Sequence, residues 1–304
     1  MEMADILTTV RLKPDDYPLT LRQLTRPPPH LYCAGALPPP SDEYRYLSVV
    51  GARKYSSYGK EACQKLIEGL RGQPIVIVSG LAIGIDSIAH EAALKSELMT
   101  IAFPGSGLSA SAIYPHSHLR LAERIARSGG ALLSPFEPEQ GGAPWTFPIR
   151  NVLMAGISHA VLLIEGRRHS GTLQTASAAL EFGRDVMIVP GSIFSDLSFG
   201  PHSLYRDGAT PVHSSEDILE TLGFDVERES GAAFTRDLER IKRSLSPPAQ
   251  QILSLLETGP LAAADIIGRI RIAPAQFNVL ISELELEGMI IENDGVYRLN
   301  NFAF

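Results

Sequence analysis

The chain has 304 residues, 44% of them apolar and 20% charged, with a formal net charge of −7. That length holds one large domain, or a large and a small one, and no apolar run approaches a membrane span. The acidic balance argues against a surface coated in positive charge. It leaves room for a local cationic site, because screening makes the local field count for more than the total.

The first residues, Met1-Glu2-Met3-Ala4-Asp5, show no basic segment ahead of an apolar one. No secretory signal is read, and a cytoplasmic chain is expected. Residues 1–40 are Pro-rich: Pro27-Pro28-Pro29 and Pro38-Pro39-Pro40 bracket Leu31-Tyr32-Cys33-Ala34-Gly35. They read as an extended or short helical lead-in packed on the main domain. Cys33 and Cys63 have no metal-ligand spacing and read as small apolar side chains. The histidines show no such spacing either, so neither metal nor cofactor is expected.

From Leu47 the pattern changes. Short apolar runs at 47–50, 75–78, 100–103, 131–133, 160–164 and 186–189 alternate with helical patterns at 58–71, 87–95, 118–128, 147–157 and 172–182. The alternation predicts an α/β domain over 41–222: a Rossmann-like, doubly wound, mostly parallel sheet covered on both faces. Ligands of such a sheet sit at the carboxyl ends of the strands. Small residues gather at those ends, in Gly51-Ala52-Arg53, Ser79-Gly80, Pro104-Gly105-Ser106-Gly107, Ser134-Pro135, Gly166 and Pro190-Gly191.

Each turn carries a candidate contact. Arg53 and Lys54 follow the first run and can clamp a phosphate, although an Arg there can equally cap a carbonyl or pair with a carboxylate. Gly80 and Gly84 permit close backbone approach, and Asp86 can cap the next helix. In Trp145-Thr146-Phe147-Pro148-Ile149-Arg150-Asn151, Phe147 beside Arg150 and Asn151 suits base stacking with phosphate pairing. Trp145 reads as core packing. Arg53 and Arg150 are expected on a solvated rim. Arg167-Arg168-His169 lead into Ser170-Gly171-Thr172, a small polar turn between a strand and a helix whose N–H groups suit an anion. Glu165 and Asp86 are the carboxylates placed at the rim. Neither has a His or nucleophile partner, so no catalytic residue is assigned.

Residues 223–245 turn polar and read as a linker. Over 246–304, helical patterns at 249–256, 261–267 and 275–287 precede a hairpin at 289–299 with Asp294-Gly295 at its turn. Three helices and a wing predict a winged helix. From Ser246 onward, Arg269, Arg271 and Arg298 face seven anions, a net −4, and 275–287 carries three Glu with no Lys or Arg. Such a helix is repelled by the phosphates flanking a groove, so the module is not expected to be the main DNA-binding element.

An ordered set of landmarks spans nearly 200 residues. It runs from Tyr17-Pro18 and Leu31-Tyr32-Cys33-Ala34-Gly35 through Val50-Gly51-Ala52-Arg53, Ser79-Gly80-Leu81-Ala82-Ile83-Gly84-Ile85-Asp86 and Tyr114-Pro115. It continues in Phe147-Pro148-Ile149-Arg150-Asn151, Ser170-Gly171-Thr172-Leu173-Gln174-Thr175-Ala176, Gly183-Arg184, Pro190-Gly191 and Gly208-Ala209. This set resembles the DprA/Smf family, the DNA-processing proteins of natural transformation. The resemblance implies a Rossmann-like core that binds single-stranded DNA, a homodimer, and delivery of the strand to the RecA recombinase, with no membrane partner. It implies DNA contacts at Arg53, Phe147 and Arg150. The chain departs from the family pattern at Ser109 (usually Asp), Val152 (usually Arg), Gly166 (often Ala) and His202 (often Asn). Two alternatives share the fold: a sensor of a free nucleotide and a phosphoribohydrolase. The latter needs Pro-Gly-Gly-x-Gly-Thr-x-x-Glu, and here the turn ends in Thr175 without the double Gly.

Overall fold

The Pro-rich lead-in is part of the sheet. In the computed structural model, which describes residues 7–39, 41, 43–168, 170–226, 245–286, 289–293 and 295–300, β1 (Thr9–Leu12) and β2 (Leu31–Gly35) pair antiparallel, and β2 pairs antiparallel with a later strand. Between them lies a short helix, α1 (Leu19–Arg22). The lead-in expected to be extended or helical on the main domain takes the form of two strands and a short helix here. Neither strand is long or periodic enough to announce itself, and the sheet edge supplies the partner.

The alternating region follows as β3 (Arg45–Val50), α2 (Ser57–Glu68), β4 (Ile75–Ser79), α3 (Ile85–Lys95), β5 (Met99–Ala102), α4 (Leu119–Arg127), β6 (Ala131–Ser134), α5 (Thr146–Ile157), β7 (Ala160–Leu163), α6 (Gly171–Glu181), β8 (Asp185–Ile188), α7 (Phe199–Arg206), β9 (Thr210–Pro211) and α8 (Ser215–Thr221). Among the described residues the sheet runs β1-β2-β6-β5-β4-β3-β7-β8-β9, and β3 to β9 are mutually parallel. Every residue of β4 is buried, as expected of a strand covered on both faces. One face packs Val76, Val78, Val161 and Leu163 against Met154, Ala155 and Ala176. The other packs Leu47, Ile75, Ile77 and Leu162 against Cys63, Ile67, Ile85 and Ala89. Each Val, Leu, Ile or Met among them contributes about 1.5–3 kcal/mol on burial. Cys33 and Cys63 are both buried, and burial pushes the Cys33 thiol up to about 11.

β3 lies between β4 on one side and β7 on the other. The chain winds outward from β3 to β4, β5 and β6, then returns to start again at β7. The reversal splays the β3 and β7 connections apart, and a crevice opens at the carboxyl ends of the two strands.

The contact pattern separates two units, Met1–Val226 and Glu227–Phe304. The described part of the second contains α9 (Pro247–Leu256), β10 (Leu261–Ala262), α10 (Ala263–Ile270), α11 (Pro274–Leu286), β11 (Ile290–Asn293) and β12 (Val296–Leu299). Its sheet order is β10-β12-β11, and Ile252, Leu256, Ile266, Phe277, Leu284 and Ile290 form its own core. The helix expected from residue 261 begins two residues later, because Leu261 and Ala262 pair with Tyr297 and Val296. Most of the expected linker, residues 227–244, lies outside the described residues, as does Asp294 at the hairpin turn.

Candidate nucleic-acid interface

A cleft of about 530 Å³ occupies the β3/β7 crevice. Arg53 and Lys54 on the β3 turn and Arg167 on the β7 turn line it and are exposed. Ser170, Gly171 and Thr172 form its other wall. Ser170 is the N-cap of α6: its Oγ accepts the Thr172 N–H at 3.1 Å and also meets the Thr172 hydroxyl. The positive end of an eleven-residue helix thus opens into the cleft. Asn151 ties α5 to this wall, its Nδ2 donating to Gly171 O at 3.2 Å. His169, expected beside the turn, lies outside the described residues.

The Arg53 turn is pinned from β7. Glu165, just past the end of that strand, is buried and accepts the Ser56 N–H at 3.0 Å and the Ser56 hydroxyl at 2.5 Å. Ser56 is the N-cap of α2. A carboxylate at a helix N-terminus is stabilised by the helix dipole, and a side chain on Gly59 would overlap Glu165. The rim placement expected for Glu165 is corrected: it is an interior group that fixes the course of residues 53–56.

Arg150 and Asp86 need a larger correction. Both were expected at the rim, Arg150 solvated and Asp86 capping a helix. Arg150 is only 4% exposed and Asp86 7%. They form an ion pair at 3.6 Å. The α3 N-cap is Gly84, without a side-chain bond, while Asp86 accepts the Gly80 and Ala82 N–H groups. Burial pushes the Asp86 carboxyl above its ordinary range, and Arg150 pulls against that rise. The Arg150 guanidinium still reaches the cleft floor. Its Nη1 donates to Met154 Sδ at 3.4 Å, and its Nε has no partner among the described residues.

The glycines expected to offer backbone to phosphate are enclosed, and they serve close packing. Gly51 faces the Ile85 side chain, and Gly84, at φ +100°, faces the Ala52 and Arg53 backbone. Gly80 lies against the Arg150 guanidinium, Gly105 under the Phe147 ring, and Gly107 against the Glu137 and Pro138 carbonyls. A Cβ at any of them would displace what it touches. Gly107 N–H already donates to Gln140 O at 2.7 Å. Ser79 is fully buried, its hydroxyl donating to Val49 O at 2.7 Å, so it is removed from the contact set. Gly51 also lines the cleft, Gly80 borders a smaller hollow beside it, and the others shape the site from behind. Leu81 belongs with them: its φ of +58° is left-handed, a strain of about 1–3 kcal/mol. Full burial and a 2.7 Å bond from His118 Nδ1 to its carbonyl hold it there.

Phe147 is half-buried, with the Arg53 guanidinium 5.5 Å from its ring centroid. Trp145, expected in the core, is 55% exposed and meets Phe136 edge-on at 5.5 Å. It stands at the N-cap of α5, ahead of that helix's buried face. Of the departures, Val152 is exposed on α5, and His202 Nε2 reaches Gly191 O at 3.1 Å. Sequence reading also passed over Leu197, which lines the cleft from the β8 side. Among the described residues no cluster of His, Cys, Asp or Glu is arranged to hold a metal, and no helix is long and apolar enough to cross a membrane.

The model of the family "DNA recombination-mediator protein A" matches residues 8–223, and that of the "DprA winged helix domain" matches residues 237–295. The DNA processing protein DprA of Bacillus subtilis is 38% identical over 216 residues, 71% of each chain. Protein Smf of Escherichia coli is 43% identical over 180 residues, 59% of this chain and 48% of that one, so the chain matches about half of that relative's length. Among solved structures, DNA processing protein A from Helicobacter pylori, described for its single-stranded DNA binding mode, aligns with a TM-score of 0.62 and 26% identity. That alignment covers 72% of this chain and 98% of the other.

Proposed function

Because the chain belongs to the DNA recombination-mediator protein A family, we propose that this DNA-processing protein holds single-stranded DNA in the β3/β7 cleft. The observation that carries the reading is the Arg53 guanidinium stacked on Phe147 opposite the α6 N-terminus. Phosphates lie at the positive end of α6 and on Arg53, Lys54 and Arg167, and a base lies on Phe147. Every base has a π-face, so such a platform tolerates any sequence. The protein binds without chemistry, as a cytoplasmic homodimer that protects strands and loads a recombinase of the RecA type. The family resemblance supports these last features.

A free nucleotide is the second reading, since about 530 Å³ is the size of a small-ligand site. A phosphoribohydrolase is disfavoured by Glu165, whose carboxylate is committed to Ser56. The test is one titration of labelled single strand, blunt duplex and AMP at two salt concentrations, with chromatography for released base. Preference for the single strand, weakened by salt through counterion release, supports the proposal. Equal affinity for duplex overturns it, as does free base released from AMP in proportion to protein.

A further inference from the structure

Past Phe147 the cleft opens into a second, smaller hollow. Arg53, Phe147 and Arg150 border both, and the new walls are Ile83, Tyr114 and Pro115. Ile83 is 55% exposed and Tyr114 46%. The Tyr114 and Phe147 rings meet edge-on, with centroids 5.7 Å apart. Each ring rests on a glycine. Phe147 covers Gly105, and a Cβ on Gly142 would stand 3.2 Å from Tyr114 Cγ.

The loops that carry these glycines are tied together. Gly107 N–H donates to Gln140 O at 2.7 Å, Ser109 N–H to Pro138 O at 2.9 Å, and Tyr114 N–H to Ser106 Oγ at 3.2 Å. A ring backed in this way has little freedom left to lose when a planar group settles on it.

The floor chemistry selects what settles there. Gly80 and Arg150 form it, and the Arg150 charge is matched by Asp86. Away from Arg53 at its rim, the hollow therefore offers apolar and aromatic surface over a neutralised base, which suits an uncharged heterocycle and leaves Arg53 for a phosphate beside it. At about 30 Å³ it admits the edge of a base while the ring lies open on Tyr114.

We propose that Tyr114 and Ile83 form a second base subsite, which receives the nucleobase adjacent to the one on Phe147, with Arg53 at the phosphate between them. This rests on the strand-binding reading above. It adds that the strand leaves the main cleft across Phe147 toward Tyr114.

The experiment uses the full chain with short oligothymidylate, alone and carrying iodouracil for photocrosslinking. Tyr114→Ala is expected to bind roughly 5- to 150-fold more weakly, the range that stacking of one base supplies. Tyr114→Phe keeps the ring and should bind like the unmodified chain. Irradiation should attach iodouracil to the peptides containing Phe147 and Tyr114 in the unmodified chain, so the result does not depend on the folding of a variant. Unchanged affinity in Tyr114→Ala, or a crosslink at Phe147 without one at Tyr114, overturns the subsite and leaves the strand-binding reading standing. An unmodified chain that binds no single strand overturns both.

Discussion

The Arg150 guanidinium stands 3.6 Å from the Asp86 carboxylate, and both side chains are almost wholly enclosed. Breaking such a pair leaves a buried charge without its partner, which costs about 3–5 kcal/mol. Arg150→Ala is therefore expected to destabilise the protein by that amount in denaturant unfolding. Combining Arg150→Met with Asp86→Asn should recover much of the loss, since Asn keeps an acceptor for the Gly80 and Ala82 N–H groups and no unpaired charge remains. An Arg150→Ala variant as stable as the parent would return Arg150 to the solvated rim.

Arg53 has no such interior role. It is exposed and touches the face of Phe147. Arg53→Ala should weaken single-strand binding by about 1.5–3 kcal/mol, roughly ten- to hundred-fold, with the melting temperature unchanged. Fluorescence anisotropy and a thermal melt on the same preparation check both parts. Loss of fold in this variant would mean that the turn depends on the side chain.

Stability should fall with acid through His90. This residue is fully buried, its Nδ1 lying 2.7 Å from the Thr100 hydroxyl. That hydroxyl donates to Ile77 O, so it accepts from His90 Nδ1–H, and burial, with His118 and Arg150 nearby, favours the neutral ring. Burial lowers the His90 pKa from 6.5 to about 3. A depressed folded-state value means that the unfolded chain takes the proton first. The contribution is complete above pH 6.5 and is lost as pH falls toward 3. Between pH 7 and pH 5 the loss should be about 2 kcal/mol. His90→Gln should flatten this part of the profile in urea unfolding, and an unchanged slope would assign the acid sensitivity elsewhere.

The winged unit should be dispensable for strand binding. Its α11 carries Glu283 and Glu285 and no cation, and phosphates on both sides of a groove would repel it. A chain ending at Val226, which retains the three core clusters described for the first unit, should bind single strands nearly as well as the full chain at matched salt. Loss of most binding in a truncation that still melts cooperatively would place the DNA on the wing.

The alternation of apolar runs and helical patterns was legible in the sequence, because a strand covered on both faces is apolar along its length, as Ile75 to Val78 of β4 are. The polar turn at Ser170-Gly171-Thr172 between a strand and a helix was legible too, because it is local in the chain, while the capping bond from the Thr172 N–H to Ser170 Oγ came with the structure. The short β1 and β2 were not legible. Four or five residues are stabilised by a neighbour that arrives from elsewhere, and Cys33 finds its register partner at Leu133, a hundred residues away.

Residue types at the site were set by the sequence, and their roles were set by depth. Arg53 and Arg150 look alike as cations in glycine-rich surroundings. One is held in solvent by a turn pinned through Glu165, and the other is drawn inside by Asp86. A charge can be buried only where a partner is already waiting, and Asp86 comes from a different crossover, 64 positions from Arg150 in the chain. The same holds for Phe147 and Tyr114, which meet because Gly105 and Gly142 leave room beneath them. Local bonding and periodicity are written along the chain. Burial and long-range pairing come into being when the sheet closes, and they decided which residues face the cleft.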